Sequence, residues 1–424
     1  MHLDQKHVDT VVVGAGQAGI AMSEHLTQLG ISHVVLEKHR IAEAWRSRRW
    51  DSLVANGPCW HDRFPNMAFD ADPESFVHHE QVAHYFEHYA KQFNAPIHTG
   101  IEVYKAYKHQ HHLGFVVETS AGTLYSQRIV AATGAFQKAV MPAAAPVQPN
   151  FYQIHSDQYR NPAQLPAGAV LVIGSGASGV QIADELNRAG RNVYLSVGPH
   201  ERPPRRYRHR DNVWWLGVLG GWDFMKTDQT PLKGLAVTGA RGGVSIDFRV
   251  LAEQGITLLG MTKAFEHDHV YFQPDLASNI YAGDQSLFHF LDQADCYVTR
   301  NGLDLPEEPL ARQLRRDPEC VTEPILHLNL PEANIQTVIW ASGYRCDFSW
   351  LQVNAFDAQG QPQHKLGISS ERGVYFLGLP YLSGRGSSFI WGVWHDAQYI
   401  AQHIRIQQAY LDYQHPYDPM QHSA

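Results

Sequence analysis

The apolar residues of the first forty positions fall into three blocks with different periods. Asp9-Thr10-Val11-Val12-Val13 is a short continuous run, the mark of a buried strand. Past Gly14 the apolar positions take helical spacing through Ile20, Ala21, Leu26 and Leu29, and Gly30 closes that helix. His33-Val34-Val35-Leu36 is again a continuous run and ends in Glu37. Together they predict one β-α-β unit. The same succession recurs at Ala169-Val170-Leu171-Val172-Ile173, followed by a helix through Ile182 and Leu186 to Gly190 and a strand over Asn192–Ser196. These two units form the internal repeat of the chain.

Elsewhere the pattern is plainer. Gly100 to Val130 predicts a β-rich meander that includes Phe115-Val116-Val117 and Arg128-Ile129-Val130. Met141 to Pro149 reads as a linker and Asn161 to Gly168 as a loop. From Trp222 to Leu330, helical stretches such as Asp284 to Asn301 alternate with Gly and Pro breaks and take no predicted order. Thr337–Trp340 and Gly373–Leu377 are buried strands, and an amphipathic helix runs from about Trp394 to Tyr410.

Composition narrows the class. The 424 residues suit two or three domains, and 44% hydrophobic with 18% charged residues is ordinary for a globular chain. A formal charge of −8 repels phosphate backbones, so no nucleic-acid partner is expected. The four cysteines, Cys59, Cys296, Cys320 and Cys346, form no Cys-x-x-Cys pair, which argues against a dithiol redox centre or a zinc site. No apolar run reaches about 18 residues. The segments Met1 to Thr10 and Asp412 to Ala424 are polar, without a signal or tail-anchor pattern. A cytoplasmic protein with no membrane partner is the expectation. No metal site is expected either: His79 and His84 beside Glu80 lie roughly 140° apart on a helix rather than on one face.

Each repeat carries G-x-G-x-x-G between strand and helix: Gly14, Gly16 and Gly19 with Gln17 inside, then Gly174, Gly176 and Gly179 with Ser175 and Ser178 inside. In that context the glycines let a pyrophosphate reach the backbone at a helix N-terminus. The residue ending the second strand separates the two ligands. Glu37, 23 positions after Gly14 and followed by Lys38, suits a ribose diol, as in FAD or NAD. Ser196, 22 positions after Gly174, does not repel a 2′-phosphate. The basic run Arg202, Arg205, Arg206, Arg208 and Arg210 follows it, with Arg205 and Arg206 expected to select NADPH.

With these motifs the chain resembles the single-component flavoprotein monooxygenases, which include the flavin-containing, N-hydroxylating, auxin-forming and Baeyer–Villiger enzymes. It is most similar to a bacterial subgroup of FAD-dependent oxidoreductases. The resemblance covers nearly the whole chain. It implies that Trp45, Arg46, Trp50 and Leu53 belong to the segment crossing the flavin, and Thr133 and Gly134 to the strand-and-turn between domains. Ser342 and Gly343 match an Ala-Thr-Gly-Tyr motif with Ser in place of Thr, and Asp396 lies in the C-terminal flavin-contacting region. In Leu53–Pro58 it places Asn56 over the flavin ring as the catalytic carboxamide. One signature departs: F-x-G-x-x-x-H is met by Pro149 to His155, with Pro149 for Phe and Phe151 for Gly.

The expected fold is therefore α/β, with two Rossmann-like domains, the second inserted in the first. Residues 1–160 and 335–424 are expected to form a discontinuous FAD domain and 161–334 the NADP domain. The implied activity is reduction of FAD by NADPH, formation of a C4a-(hydro)peroxyflavin with O2, and oxygenation of a small organic substrate. N-, S-, indole-type or Baeyer–Villiger oxidation all fit, and a homodimer is the expected assembly. The rival readings are an NADPH oxidase releasing H2O2 and a non-catalytic nucleotide-binding redox sensor.

Overall fold

A computed structural model describes residues 4–147, 149–225 and 233–413. Most of the polar C-terminal stretch and the first three positions lie outside the described residues. Contacts divide the chain into two units. The first comprises Met1–Ile41, Phe86–Gly134 and Phe348–Ala424, and the second Ala42–Tyr85 and Ala135–Asp347.

The first unit is built on a ten-stranded sheet. Lys6–Val13 lies at its centre, parallel to His33–Glu37 on one side and to Gly122–Ala131 on the other. Val11 and Val12 are fully buried, as a strand covered on both faces requires. Phe115–Thr119 and Val103–Lys108 continue antiparallel as the predicted meander. Val374–Phe376 adds parallel beside Gly122–Ala131. The Gln17–Gln28 helix follows the first glycine loop, and the last helix spans Ile390–Asp412, longer at both ends than the pattern predicted. The two helices meet through polar as well as apolar groups. Buried Glu24 accepts from Trp394 Nε1 (2.8 Å) and from Tyr89 Oη (2.7 Å).

The second unit holds a five-stranded, wholly parallel sheet in the order Thr257–Leu259, Val193–Ser196, Ala169–Ile173, Ile335–Trp340, Tyr152–His155. The Ala177–Arg188 helix follows the second glycine loop and buries Val180, Ile182, Ala183 and Leu186. A 26-residue helix, Leu276–Asn301, occupies the stretch the sequence left without order.

The nested α/β arrangement is borne out, since the first unit is interrupted twice by the second. The boundaries differ from those expected at 160/161 and 334/335. Tyr152–His155 and Ile335–Trp340 hydrogen-bond into the sheet of Ala169–Ile173, which draws residues on both sides of those boundaries into the second unit. Ala42–Tyr85 joins it through contacts such as Asp51 N–H to Arg160 O (2.8 Å) and Ser52 Oγ to Glu185 Oε1 (2.7 Å).

Candidate active site

The two glycine loops share one local geometry. Gly14 and Gly174 have φ of +105° and +109°, a region that favours glycine. Each sits against the end of a strand distant in sequence. A Cβ on Gly14 would lie 2.6 Å from Ala132 O, and one on Gly174 would lie 2.5 Å from Ala341 O. At the next turn, a Cβ on Gly19 or Gly179 would come within 1.8 Å of the carbonyl of Gly14 or Gly174. The sequence segments Ala132-Thr133-Gly134 and Ala341-Ser342-Gly343 are thus counterparts, one closing each loop.

Both loops offer an anion cradle. The helices starting after Gly16 and Gly176 have no side-chain cap and no acidic residue in the first turn, so no capping side chain takes their N-terminal N–H groups. A Cβ on Gly16 would meet nothing within 4 Å, and one on Gly176 only Gly234 Cα at 3.8 Å. That open space beside an uncapped helix N-terminus fits a dinucleotide pyrophosphate at each loop.

In the first unit Glu37 faces its loop: Oε2 accepts from Ala15 N–H (2.9 Å) and Oε1 from His39 N–H (2.8 Å). Each carboxylate oxygen keeps a second lone pair for a ligand hydroxyl. Lys38 is exposed beside it, and Gln17 Nε2 donates to Ser388 O (2.8 Å). Asp396, in the last helix, is buried. Its Oδ1 accepts from Ser383 Oγ, while Oδ2 has no partner among the described residues, and burial raises its pKa. An orphaned buried acceptor in the unit that carries the Glu37 loop fits a cofactor bearing hydroxyl or N–H donors.

In the second unit Asn56 is held from several directions. Its Oδ1 accepts from Gln181 Nε2 (3.0 Å), its carbonyl oxygen accepts from Arg205 Nη1 (2.7 Å), and the next N–H, of Gly57, donates to Asp62 Oδ2 (2.9 Å). Asp62 also pairs with His61 Nδ1 (2.8 Å), whose ring stacks on Trp222. Trp45 and Arg46 lie in the short helix Glu43–Ser47. Thr133 and Gly134 end the Phe86–Gly134 segment of the first unit, beside the Gly14 loop.

Several sequence expectations change. Arg205 is not a free phosphate ligand. It is 4% exposed, pairs through two nitrogens with Asp211, and also binds Asn212 and Asn56, so four of its five N–H donors are used inside the fold. Arg202 and Arg208 are likewise matched, to Asp284 and Asp295. Arg206 and Arg210 remain exposed. Ser196 is also committed: its Oγ donates to Gly260 O (2.9 Å) and accepts from Thr262 N–H (3.1 Å), and the residue is 3% exposed. Trp50 and Leu53 contribute their side chains to the second unit's core with Tyr159, Val180 and Ile182. Ser342 and Gly343, expected in the FAD domain, belong to the second unit, where strand register brings Ala341 onto Gly174. His155 is buried, bonded to Asp157 Oδ1 (3.0 Å) and Gly343 O (3.0 Å), and holds that turn in place. Gln181 was missed, because nothing in its spacing from the glycines marks it as a partner of a residue 125 positions earlier.

Among the described residues, no group of three or more metal-ligating side chains assembles, the four cysteines are free, and no helix is long and apolar enough to cross a membrane.

Comparison with known proteins places these features in a family. Residues 11–213 match the family model described as pyridine nucleotide-disulphide oxidoreductase. An uncharacterized CzcO-like oxidoreductase of Geobacillus kaustophilus is 33% identical over 405 residues, covering 94% of this chain and 99% of that protein. A probable indole-3-pyruvate monooxygenase, YUCCA4, of Arabidopsis thaliana is 29% identical over 94% of this chain and 90% of its own. Among solved structures, a flavin-containing monooxygenase from Stenotrophomonas maltophilia superposes with a TM-score of 0.66 at 19% identity, over 96% of this chain and all of that one, a likeness of fold. The chain belongs to the CzcO-like oxidoreductases.

Proposed function

We propose that the protein inserts one atom of O2 into a small organic substrate bearing a soft nucleophile, an amine, a thioether or an indole-type ring, with FAD held by the Gly14–Gly19 cradle and NADP(H) by the Gly174–Gly179 cradle. Bound FAD, reduced by NADPH, supplies the reaction with dioxygen and the oxidising power. The chain's own residues bind and orient. In the first unit Glu37 takes ribose hydroxyls and Asp396 takes a donor of the cofactor on its orphaned Oδ2. In the second, Arg206, one of the two exposed cations of the basic run, takes a 2′-phosphate. Asn56 acts as a fixed neutral hydrogen-bonding group that stabilises reacting oxygen without supplying a proton.

The observation that carries this reading is the immobilised Asn56 carboxamide in a unit that also holds a dinucleotide cradle, in a chain with no cysteine pair to receive electrons. The similarity to a protein named as a probable indole-3-pyruvate monooxygenase supports an indole-bearing member of that substrate class.

The test is direct. Purified protein is expected to be yellow, to oxidise NADPH, and to yield an oxygenated product from a panel of thioethers, amines, indoles and cyclic ketones. A colourless protein that takes up no FAD overturns the cofactor assignment. Stoichiometric H2O2 with every substrate overturns the oxygenase reading in favour of an oxidase. Asn56→Ala is expected to increase H2O2 released per NADPH, and an unchanged ratio removes Asn56 from the chemistry.

A further inference from the structure

Gln181 stands on the Ala177–Arg188 helix, just past the second glycine loop. Its Nε2 makes two bonds, to Val237 O at 2.7 Å and to Asn56 Oδ1 at 3.0 Å. A backbone carbonyl only accepts, so the face of Gln181 turned to Val237 has to be its NH2 group. One hydrogen goes to Val237, and the second needs an acceptor. That requirement settles the neighbouring amide, because Asn56 has to present its oxygen to Gln181 and turn its NH2 away. Among the described residues the Asn56 NH2 donates to no protein acceptor.

The backbone around Asn56 gives this orientation a rigid base. Its carbonyl is bound by Arg205, Gly57 N–H is bound by Asp62, and a Cβ on Gly239 would come within 2.0 Å of Ala55 O, so the chain is packed closely there.

We propose that Gln181 is the positioning residue of this site, relaying the fixed polarity of the Val237 carbonyl to Asn56 so that Asn56 meets its ligand only as a donor. The proposal rests on the reading of Asn56 given above and sharpens it. The group recognised is an acceptor, a carbonyl or an electron-rich oxygen, and a ligand offering a hydroxyl or N–H donor at that point is rejected. An unfixed carboxamide would turn to suit either.

The test uses FAD-loaded protein and two readouts. In side-chain amide NMR, the Gln181 NH2 signal is identified as the one that Gln181→Glu removes. Both of its protons are expected to exchange slowly with water, and Asn56→Ala is expected to speed one of them about tenfold. Exchange of both protons at the rate of free glutamine in the unsubstituted protein overturns the geometry.

The second readout is H2O2 release from NADPH in air without organic substrate, at pH 8 and pH 6. Gln181→Glu is nearly isosteric, but its carboxylate cannot donate, so Asn56 turns and loses its outward donor. Release is expected to rise about tenfold at pH 8. The new carboxylate would face the Val237 carbonyl, which favours its protonated form. The nearby charged groups are Arg205, Asp184, Glu185 and Arg241, with Arg205 matched to Asp211 and Arg241 to Asp184. A protonated carboxyl carries one hydrogen, which the Val237 carbonyl takes, and its other oxygen only accepts, so Asn56 stays turned and release stays raised at pH 6 as well. Asn56→Ala stays raised at both values.

Gln181→Glu matching the unsubstituted protein at either pH value overturns the role of Gln181. If Asn56→Ala is raised in that experiment, the reading of Asn56 survives. Asn56→Ala behaving as unsubstituted protein overturns both.

Discussion

Replacing Arg205 with methionine separates a structural arginine from a cofactor-selecting one. Arg205 and Asp211 are each 4% exposed and bonded through both guanidinium edge nitrogens. Removing the cation leaves the Asp211 carboxylate buried with the N–H of Val213 (3.0 Å) as its remaining donor among the bonds described. Breaking one side of a buried pair costs about 3–5 kcal/mol. For a unit of this size, with roughly 2–4 °C of midpoint per kcal/mol, thermal unfolding of the second unit is expected on the order of 10 °C lower. The companion variant Arg205→Met with Asp211→Asn removes both charges and keeps a good N-cap on the Asn212–Val218 helix, so most of the loss is expected to return. Circular dichroism measures the midpoint, and steady-state kinetics below it measures KM for NADPH and NADH. Their ratio is expected to stay within about twofold of the unsubstituted value. A single variant that keeps its midpoint and loses its preference for NADPH would falsify the argument.

Three further outcomes follow from the same geometry. Arg206 is exposed and bonded to the Gly242 and Gly243 carbonyls, so Arg206→Ala is expected to raise KM for NADPH about tenfold and leave NADH unchanged; a parallel rise in both counts against a phosphate role. Gly16→Ala places its methyl in open space inside the first cradle, so FAD occupancy is expected to fall while the apo protein keeps its midpoint, and full FAD content would refute the cradle. Burial raises the Asp396 pKa. Ionising it is therefore costlier in the folded state, and its neutral form adds no penalty below the ordinary aspartate range. Stability falls as pH rises from there through the folded pKa. Asp396→Asn is expected to flatten that slope in apo-protein urea titrations, and an unchanged slope would show that Asp396 does not set it.

What the sequence made legible was what local geometry demands. Two G-x-G-x-x-G turns need glycine because Gly14 and Gly174 adopt positive φ and touch a carbonyl, and such constraints are written in the motif itself. Partnerships between distant positions were not. The basic run read as a phosphate site because its residues are adjacent, whereas Asp284 and Asp295, which neutralise Arg202 and Arg208, lie more than eighty positions away. Asp211 was only six positions from Arg205, yet nothing in spacing shows that both turn inward. Ser342 and Gly343 were assigned to the wrong unit for a similar reason: the Trp340-Ala341-Ser342-Gly343 segment looks the same whichever sheet its strand joins. Register with Ala169–Ile173 decides that, and register is a property of the pair.

The closing of each glycine loop by a remote segment also imposes an order on the making of the protein. Ala341 reaches Gly174 only after 167 further residues have been added (341 − 174), and the second unit has all its chain by Asp347. The first loop meets Ala132 early, yet its unit still lacks the Val374–Phe376 strand and the helix carrying Asp396. On the ribosome, the inserted unit therefore has its full set of contacts before the unit that begins and ends the chain. Capture of a cofactor by the first unit becomes one of the last steps of maturation, so a chain truncated shortly after Asp347 retains the second cradle and lacks a complete first one.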